Sequence, residues 1–250
     1  MVTTAVAPAP GDQEPAKIGA MGRIFGVLFS PGATFEDIVR KPSWFAPLAI
    51  LTLLSLGVCY FLVQKVDWAA FQRKQIESSP FTQNLTDEQK QQSIDRGVKF
   101  SVPLTWAIGA VGPAIGALLI TLFYWGGFNV FKGAKLGFGK SFAISCFAFV
   151  PSIISAILTM IIVILKRPGE VDPQRLAATS LGAFLAGDAP KWLVALGSSL
   201  DLFWFWTMAL LAIGYAAANP KKITKGSAFA VVIGMWAVWV IIKVGFAAAF

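Results

Sequence analysis

Long stretches without a charged side chain dominate the chain. A hydrocarbon core about 30 Å thick is crossed by about 20 helical residues, since each adds about 1.5 Å. The apolar segments that reach this range are residues 44–63, 102–125, 141–165, 200–218 and 227–247. The last contains Lys243 near a helix end, where its stem can lie along lipid while its ammonium group reaches water. The pattern predicts an all-α fold, a polytopic membrane helical bundle with five transmembrane helices in residues 44–250.

Two different segments precede the first span. Residues 1–20 are rich in Ala and Pro, lack the charge pattern of a signal peptide, and are predicted to be a disordered tail. Residues 21–43 are predicted to be a cytosolic or interfacial segment. Within it, Ser30 followed by Pro31 is typical of a helix start and predicts a short helix from Pro31 to Arg40 on the membrane surface. A linker without helix is the alternative.

A polar helix is also predicted in the loop after the first span. Thr86 and Gln89 have the spacing of a capping box, in which each side chain bonds the other residue's backbone amide. About ten polar residues follow it.

Composition agrees with lipid as the solvent. Hydrophobic residues make up 56% of the chain and charged residues 14%, whereas soluble domains carry about 25% charged residues. The net charge of +8 suits basic residues beside membrane spans, which set topology and meet anionic headgroups. The predicted partners are therefore membrane lipids and either further copies of the chain, as a homo-oligomer, or other membrane proteins. Nucleic acid is not predicted, and no small-molecule ligand is identified.

The distribution of charge predicts the orientation. The short connections, residues 126–140 and 219–226, each carry three basic residues and no acidic one. The longer loops on the other side mix acids with bases. Because the positive-inside rule is strongest for short loops, we expect a cell (inner or plasma) membrane protein with its N-terminus in the cytoplasm and its C-terminus outside.

The residue types exclude most catalytic chemistry. The chain has no histidine, which removes the commonest general base and metal ligand. An aspartyl-type intramembrane hydrolase requires two carboxylates, and only Asp201 lies near membrane depth. Phosphate-binding loops, metal-ligand spacings and dinucleotide motifs are missing from the sequence. We therefore predict a protein that is not an enzyme, with no catalytic, metal-binding or cofactor-binding residue and no cofactor.

Small residues in the second span form a candidate helix-packing patch. Gly109, Gly112 and Gly116 lie there, and Gly112-x-x-x-Gly116 permits another helix backbone to approach closely. That helix could belong to the same chain or to a second copy. Pro113 lies between the two glycines and predicts a bend, as Pro151 does in the third span.

Asp201 opens the fourth span and has two interpretations. In the first turn of a helix it would be favoured by the positive end of the dipole, and Phe203 to Trp206 would form an interfacial aromatic belt. If the helix began at Trp192, Asp201 would lie deeper and could handle ions or protons. The second interpretation gives an alternative function, a small transporter or channel that uses the bent spans two and three with Asp201.

Several short motifs resemble the Yip domain family of Ypt/Rab-interacting membrane proteins, in particular its short bacterial and archaeal members. The first is Phe29-Ser-Pro31-Gly32-Ala-Thr34-Phe35, followed by Pro42-Ser-Trp44. The second is Phe142-Ala-Ile-Ser followed by Pro151. The third is Asp201-Leu-Phe203-Trp-Phe-Trp206, which continues to Gly214. Together they cover about residues 25–245.

This resemblance implies five transmembrane helices and a cytosolic N-terminus. Eukaryotic members are linked to vesicle trafficking and Rab GTPases, and have a longer cytosolic region than the forty or so residues found here before the first span. The Rab-binding role is therefore not carried over. The leading hypothesis is a membrane scaffold or interaction protein that acts through helix packing.

Overall fold

The computed structural model describes residues 18–79, 82–173, 176, 179–186 and 189–249. These residues form α-helices and a short 3₁₀ helix, Leu181–Phe184, with no strand among them. The helices are α1 Ala20–Phe29, α2 Pro31–Arg40, α3 Phe45–Lys65, α4 Trp68–Ser78, α5 Asp87–Lys132, α6 Phe138–Ala148, α7 Pro151–Leu165, α8 Lys191–Ser199, α9 Leu202–Ala218 and α10 Lys225–Ala249. Residues 1–17 of the predicted disordered tail lie outside the described residues, and Ala20 already belongs to α1.

The multispan helical membrane fold is confirmed. Helices α3, α5 and α10 are each long and apolar enough to cross a bilayer, and only 17%, 17% and 11% of their most apolar windows is buried inside the protein. The pair α6 and α7, bent by 40°, supplies a fourth span if it is counted as one. The fifth predicted span corresponds to α9, which has 17 residues. Length and hydropathy thus identify three candidate spans, or four with the bent pair.

Helix α5 joins the predicted polar helix to the second span. The capping box is confirmed, since the Gln89 amide donates to Thr86 Oγ1 at 3.3 Å and the Thr86 amide donates to Gln89 Oε1 at 2.9 Å. The helix then continues through Pro113 for 46 residues, roughly 70 Å at 1.5 Å per residue. That is about twice the hydrocarbon thickness, so its polar N-terminal part extends beyond the membrane. There it packs against α4, where Gln72 donates to Ser101 Oγ at 3.1 Å.

The predicted proline effect in the third span is confirmed as a break between two helices. Pro151 has no amide hydrogen and cannot donate to the carbonyl of Phe147. The Val150 amide donates to that carbonyl instead, at 3.1 Å. The path therefore turns between α6 and α7.

The hydrophobic core lies at one end of the bundle, where α2, α6 and α9 meet. Phe128 and Tyr215, both fully buried, stack there with their ring centroids 4.2 Å apart. Helix α2 has the predicted bounds and is not a linker, but Phe35 and Ile38 on it are fully buried by protein. One face of this helix therefore completes the core, and its position at the membrane surface stays a prediction.

A buried ion pair holds α1 to α2. The Arg23 guanidinium approaches Asp37 Oδ2 at 2.8 Å, and the two side chains are 4% and 8% exposed. Arg23 also donates to Ser43 Oγ at 2.7 Å and to the Lys41 carbonyl at 3.0 Å. One side chain thus joins α1, α2 and the connection to the first span. We call α1 and α2 with this pair the N-terminal hairpin.

We expect Arg23→Met to destabilise the protein by about 3 kcal/mol, because it leaves the Asp37 carboxylate buried without its guanidinium. The double variant Arg23→Met/Asp37→Leu removes both charges and should lose much less stability. Thermal unfolding of the full chain in one detergent measures both. Equal losses in the two variants would contradict a role for the ion pair.

Candidate interaction face

Signature residues from distant parts of the chain meet in the core. A Cβ atom on Gly214 of α9 would lie 2.5 Å from Ile144 Cγ2 of α6 and 3.0 Å from Phe35 Cδ1 of α2. Real side chains do not approach this closely, so the site accepts glycine and excludes larger residues. Gly214 thereby allows the N-terminal hairpin to dock against the bundle.

We expect Gly214→Ala to destabilise the protein by about 1–3 kcal/mol through overpacking. Gly234→Ala on α10 is the matched control, because a Cβ there meets no atom within 4 Å and alanine favours helix over glycine. The midpoints of thermal unfolding in detergent should fall for Gly214→Ala and stay or rise for Gly234→Ala. Equal midpoints would mean that the core relaxes around the added methyl group.

The other N-terminal signature residues have simpler surroundings. Pro31 takes the first position of α2, as expected, but the Ser30 side chain makes no capping hydrogen bond. The Ser30 carbonyl instead accepts from Thr34 Oγ1 at 2.8 Å. Gly32 meets nothing within 4 Å of its added Cβ and lines a cavity of about 250 Å³ beside Lys225. No close contact explains why glycine stands at this position.

Asp201 lies at a break between two helices. Helix α8 begins at Lys191, close to the alternative start at Trp192, but it ends at Ser199. Asp201 then caps α9, with Oδ1 accepting from the Trp204 amide at 2.9 Å. Its Oδ2 accepts from the Thr179 hydroxyl at 2.5 Å. Both carboxylate oxygens are thus engaged in starting α9.

The aromatic residues after Asp201 do not all face the same surroundings. Phe203 is buried inside the protein, whereas Phe205 is exposed. Trp206 is partly buried and packs against the main core. A belt at the membrane interface would therefore include Phe205 but not Phe203.

The three glycines of the second span also separate into two groups. A Cβ on Gly109 would lie 2.6 Å from Cys59 Sγ, so Gly109 permits the close contact between α5 and α3. Gly112 has only Ile108 of its own helix nearby, and Gly116 meets nothing within 4 Å. Among the described residues, no other helix packs on Gly112 or Gly116.

Gly116 instead lines a cavity of about 340 Å³ between α3, α5 and α7. We call it the lateral groove. Ser55 and Pro113 also line it, from α3 and α5 respectively. Helix α7 contributes residues spaced three and four apart along one helical face, namely Ser152, Ser155, Ala156 and Thr159.

The walls of the lateral groove combine small size with unused polar groups. The hydroxyls of Ser55, Ser152, Ser155 and Thr159 make no hydrogen bond to another residue that the structure describes. Hydrocarbon cannot satisfy such groups. Small residues and hydroxyls are also what membrane helix interfaces favour. The groove is therefore suited to another helix more than to lipid chains.

Two packing features had no clear signal in the sequence. A Cβ on Gly182 would lie 2.8 Å from the Ser198 nitrogen, and one on Gly197 would lie 2.9 Å from the Gly182 nitrogen. Backbone therefore meets backbone where the 3₁₀ helix contacts α8. Arg23 was also missed as a structural residue, although a single charge within the apolar segment Met21 to Phe29 could have indicated a buried partner.

The comparisons with known proteins agree with this architecture. The family model described as the Yip1 domain matches residues 25–247. The chain belongs to the Yip1 domain family. "Membrane protein YknW" from Bacillus subtilis (strain 168) is 28% identical to it over 192 residues, which is 76% of each chain. No solved structure matches the chain.

Membership in the Yip1 domain family confirms the resemblance seen in the motifs and identifies a membrane protein. The family match covers nearly the whole N-terminal hairpin as well as the spans. The match begins at Phe25, so it includes α2 and the second half of α1 but not Arg23.

Proposed function

We propose that this Yip1 domain protein is a five-span, non-enzymatic membrane scaffold of the cell membrane that acts by helix contact. The observation that carries the proposal is the lateral groove, an intramembrane face with small walls and unsatisfied hydroxyls. The number of spans and the orientation are parts of the same proposal, and each has separate support.

Helix α9 is our fifth span. Its 17 residues extend roughly 26 Å, close to the hydrocarbon thickness and within the range of natural spans. Leu210 and Leu211 near its middle are almost fully buried, so protein surrounds much of the helix. A helix enclosed in this way does not need the full length of a lipid-exposed span.

Charge supports a cytoplasmic N-terminus. The α5–α6 and α9–α10 connections lie together, because Asn219 donates to the Ala134 carbonyl at 2.9 Å and Lys222 donates to the Gly133 carbonyl at 2.6 Å. The N-terminal hairpin lies at the same end of the bundle, since Gly32 of α2 lines a cavity with Lys225. The basic residues of this end are Arg23, Arg40, Lys41, Lys132, Lys135, Lys140, Lys221, Lys222 and Lys225, against the acids Glu36 and Asp37. Such a basic end faces the cytoplasm by the positive-inside rule.

Cysteine labelling of intact cells tests this topology. Gln91→Cys and Ala248→Cys should react with a membrane-impermeant maleimide, whereas Ala20→Cys and Lys221→Cys should react only after the membrane is permeabilised. The native Cys59 and Cys146 are buried, which keeps the background low. Labelling of Ala20→Cys and Ala248→Cys from the same side would reject five spans, and the reverse pattern would reject the orientation.

We propose a second copy of the chain as the occupant of the lateral groove. Gly116 lies on the α5 side of the groove with Gly112 one turn before it, and an added Cβ on either glycine would meet no other described helix within 4 Å. In a two-fold symmetric dimer the same patch serves both subunits, and a Gly-x-x-x-Gly face is self-complementary in membrane helix pairs. The hydroxyls of α7 would then meet backbone or side-chain acceptors of the other copy.

We expect Gly116→Leu to weaken dimerisation on the order of tenfold, because the larger side chain fills the groove. Förster transfer between labelled copies in proteoliposomes, measured against the lipid-to-protein ratio, gives the association constant. Gly126→Leu is the matched control, since Gly126 lies on α5 outside the groove with nothing within 4 Å of its added Cβ. A native chain that stays monomeric at every ratio would overturn the proposed dimer.

The transporter alternative receives no support from Asp201. The lateral groove lies between spans one, two and three, and so borders the two spans that the alternative uses, but Asp201 does not line it. The carboxylate is engaged by Trp204 and Thr179 at the start of α9. We therefore propose helix contact and not ion handling.

A further inference from the structure

Another cavity lies at the break between α8 and α9. It has a volume of about 260 Å³. Its walls combine one lysine, two serines and three tryptophans, which are Lys243, Ser198, Ser199, Trp204, Trp236 and Trp239. We call it the Lys243 pocket. It shares no residue with the lateral groove.

The Lys243 pocket lies at a membrane–water interface. Lys225 begins α10, and residues 226–242 between the two lysines carry no charge. Lys243 follows 18 positions later, roughly 27 Å along the helix. This distance is close to the hydrocarbon thickness. If Lys225 marks one boundary of the bilayer, Lys243 marks the other, which is the level of lipid headgroups.

Lys243 has hydrogen-bond partners but no counter-ion among the described residues. Its Nζ donates to Ser198 Oγ at 2.9 Å and to Ser199 Oγ at 3.1 Å. An ammonium group has three donors, so these bonds leave one. In the part of the chain that the structure describes, no carboxylate lies within 4.0 Å of it. An ammonium group at the level of the headgroups attracts anionic lipid.

The walls favour a ligand that accepts hydrogen bonds. The three indole N–H groups can only donate, and no Asp or Glu lines the pocket. Asp201 is near in sequence to Trp204 but is occupied at the start of α9. Three tryptophans could also form a cage for a cationic ligand, but the Lys243 ammonium inside the same pocket repels one. A phosphate group has the required charge and acceptor oxygens.

We infer that the Lys243 pocket binds the phosphate of an anionic phospholipid. Phosphate oxygens accept from Lys243, as in basic pockets that hold lipid headgroups between membrane helices. Ser198 Oγ and Ser199 Oγ position this ammonium group by accepting from it, while their own hydroxyls donate to the Ala195 carbonyl. The acyl chains lie along the lipid-facing side of α10, where Trp239 and Ile242 are more than half exposed. This inference goes beyond the scaffold function and does not depend on the lateral groove.

Lipid retention by the purified full chain tests the inference. Native mass spectrometry in detergent, with phosphatidylglycerol and phosphatidylcholine supplied in equal amounts, should show preferential retention of phosphatidylglycerol. Lys243→Gln should reduce that preference about fivefold, which is the contribution of one basic residue near an anionic surface. Lys243→Arg should keep most of it. Equal retention of the two lipids by the native chain would overturn the inference.

Three control measurements separate phosphate binding in the pocket from surface attraction, misfolding and a soluble ligand. Lys225→Gln, at the opposite end of α10, should leave the preference unchanged, and an equal loss there would mean general surface attraction. If Lys243→Gln does not fold, Ser198→Ala/Ser199→Ala removes two hydroxyls with little change in packing and should also lower the preference. Soluble glycerol phosphate alone should not shift the thermal midpoint, and stabilisation equal to that by phosphatidylglycerol would overturn the lipid as the source of the phosphate.

Discussion

Every backbone polar group inside a bilayer requires a partner from the protein, and this constraint organises the molecule. Two of its apolar paths are broken, at Phe149 to Val150 and at Leu200 to Asp201. At the first break, the Val150 amide donates to the Phe147 carbonyl, so the partner comes from the same segment. The second is closed by another segment, since the Leu181 amide donates to the Leu200 carbonyl at 3.0 Å and the Leu202 amide to the Thr179 carbonyl at 3.4 Å. The loop before α8 thus supplies hydrogen-bond partners for the Leu200 carbonyl and the Leu202 amide at the break between α8 and α9.

The two breaks also explain where the cavities lie. A continuous helix presents uniform ridges to its neighbours, whereas a break displaces side chains and leaves space beside it. Phe149 of the first break lines the lateral groove, and Ser199, next to the second break, lines the Lys243 pocket. The lateral groove and the Lys243 pocket therefore each border a point where a helix is interrupted.

The sequence was sufficient for the elements that depend on local pattern. Apolar length identified α3 and α10 within a few residues, and the capping box at Thr86 and the effect of Pro151 followed from backbone chemistry. Contacts between distant segments were beyond its reach. Asp37 looked like an ordinary acid of an early helical turn, yet it pairs with Arg23 in the core. Gly214 meets side chains of two other helices, whereas Gly112 and Gly116 meet none, and this difference could be seen only once their neighbours were known.

The N-terminal hairpin packs directly on the helical core of this Yip1 domain. Its Phe35 fills the space that Gly214 leaves on α9, and α9 in turn begins at Asp201, whose break borders the Lys243 pocket. Helix α9 therefore runs from the core to the Lys243 pocket. The lateral groove lies on α3, α5 and α7, and Phe149 in its wall contacts Trp204 of the Lys243 pocket, with ring centroids 6.2 Å apart. The groove and the pocket are therefore adjacent, and α9 joins the pocket to the hairpin through Gly214.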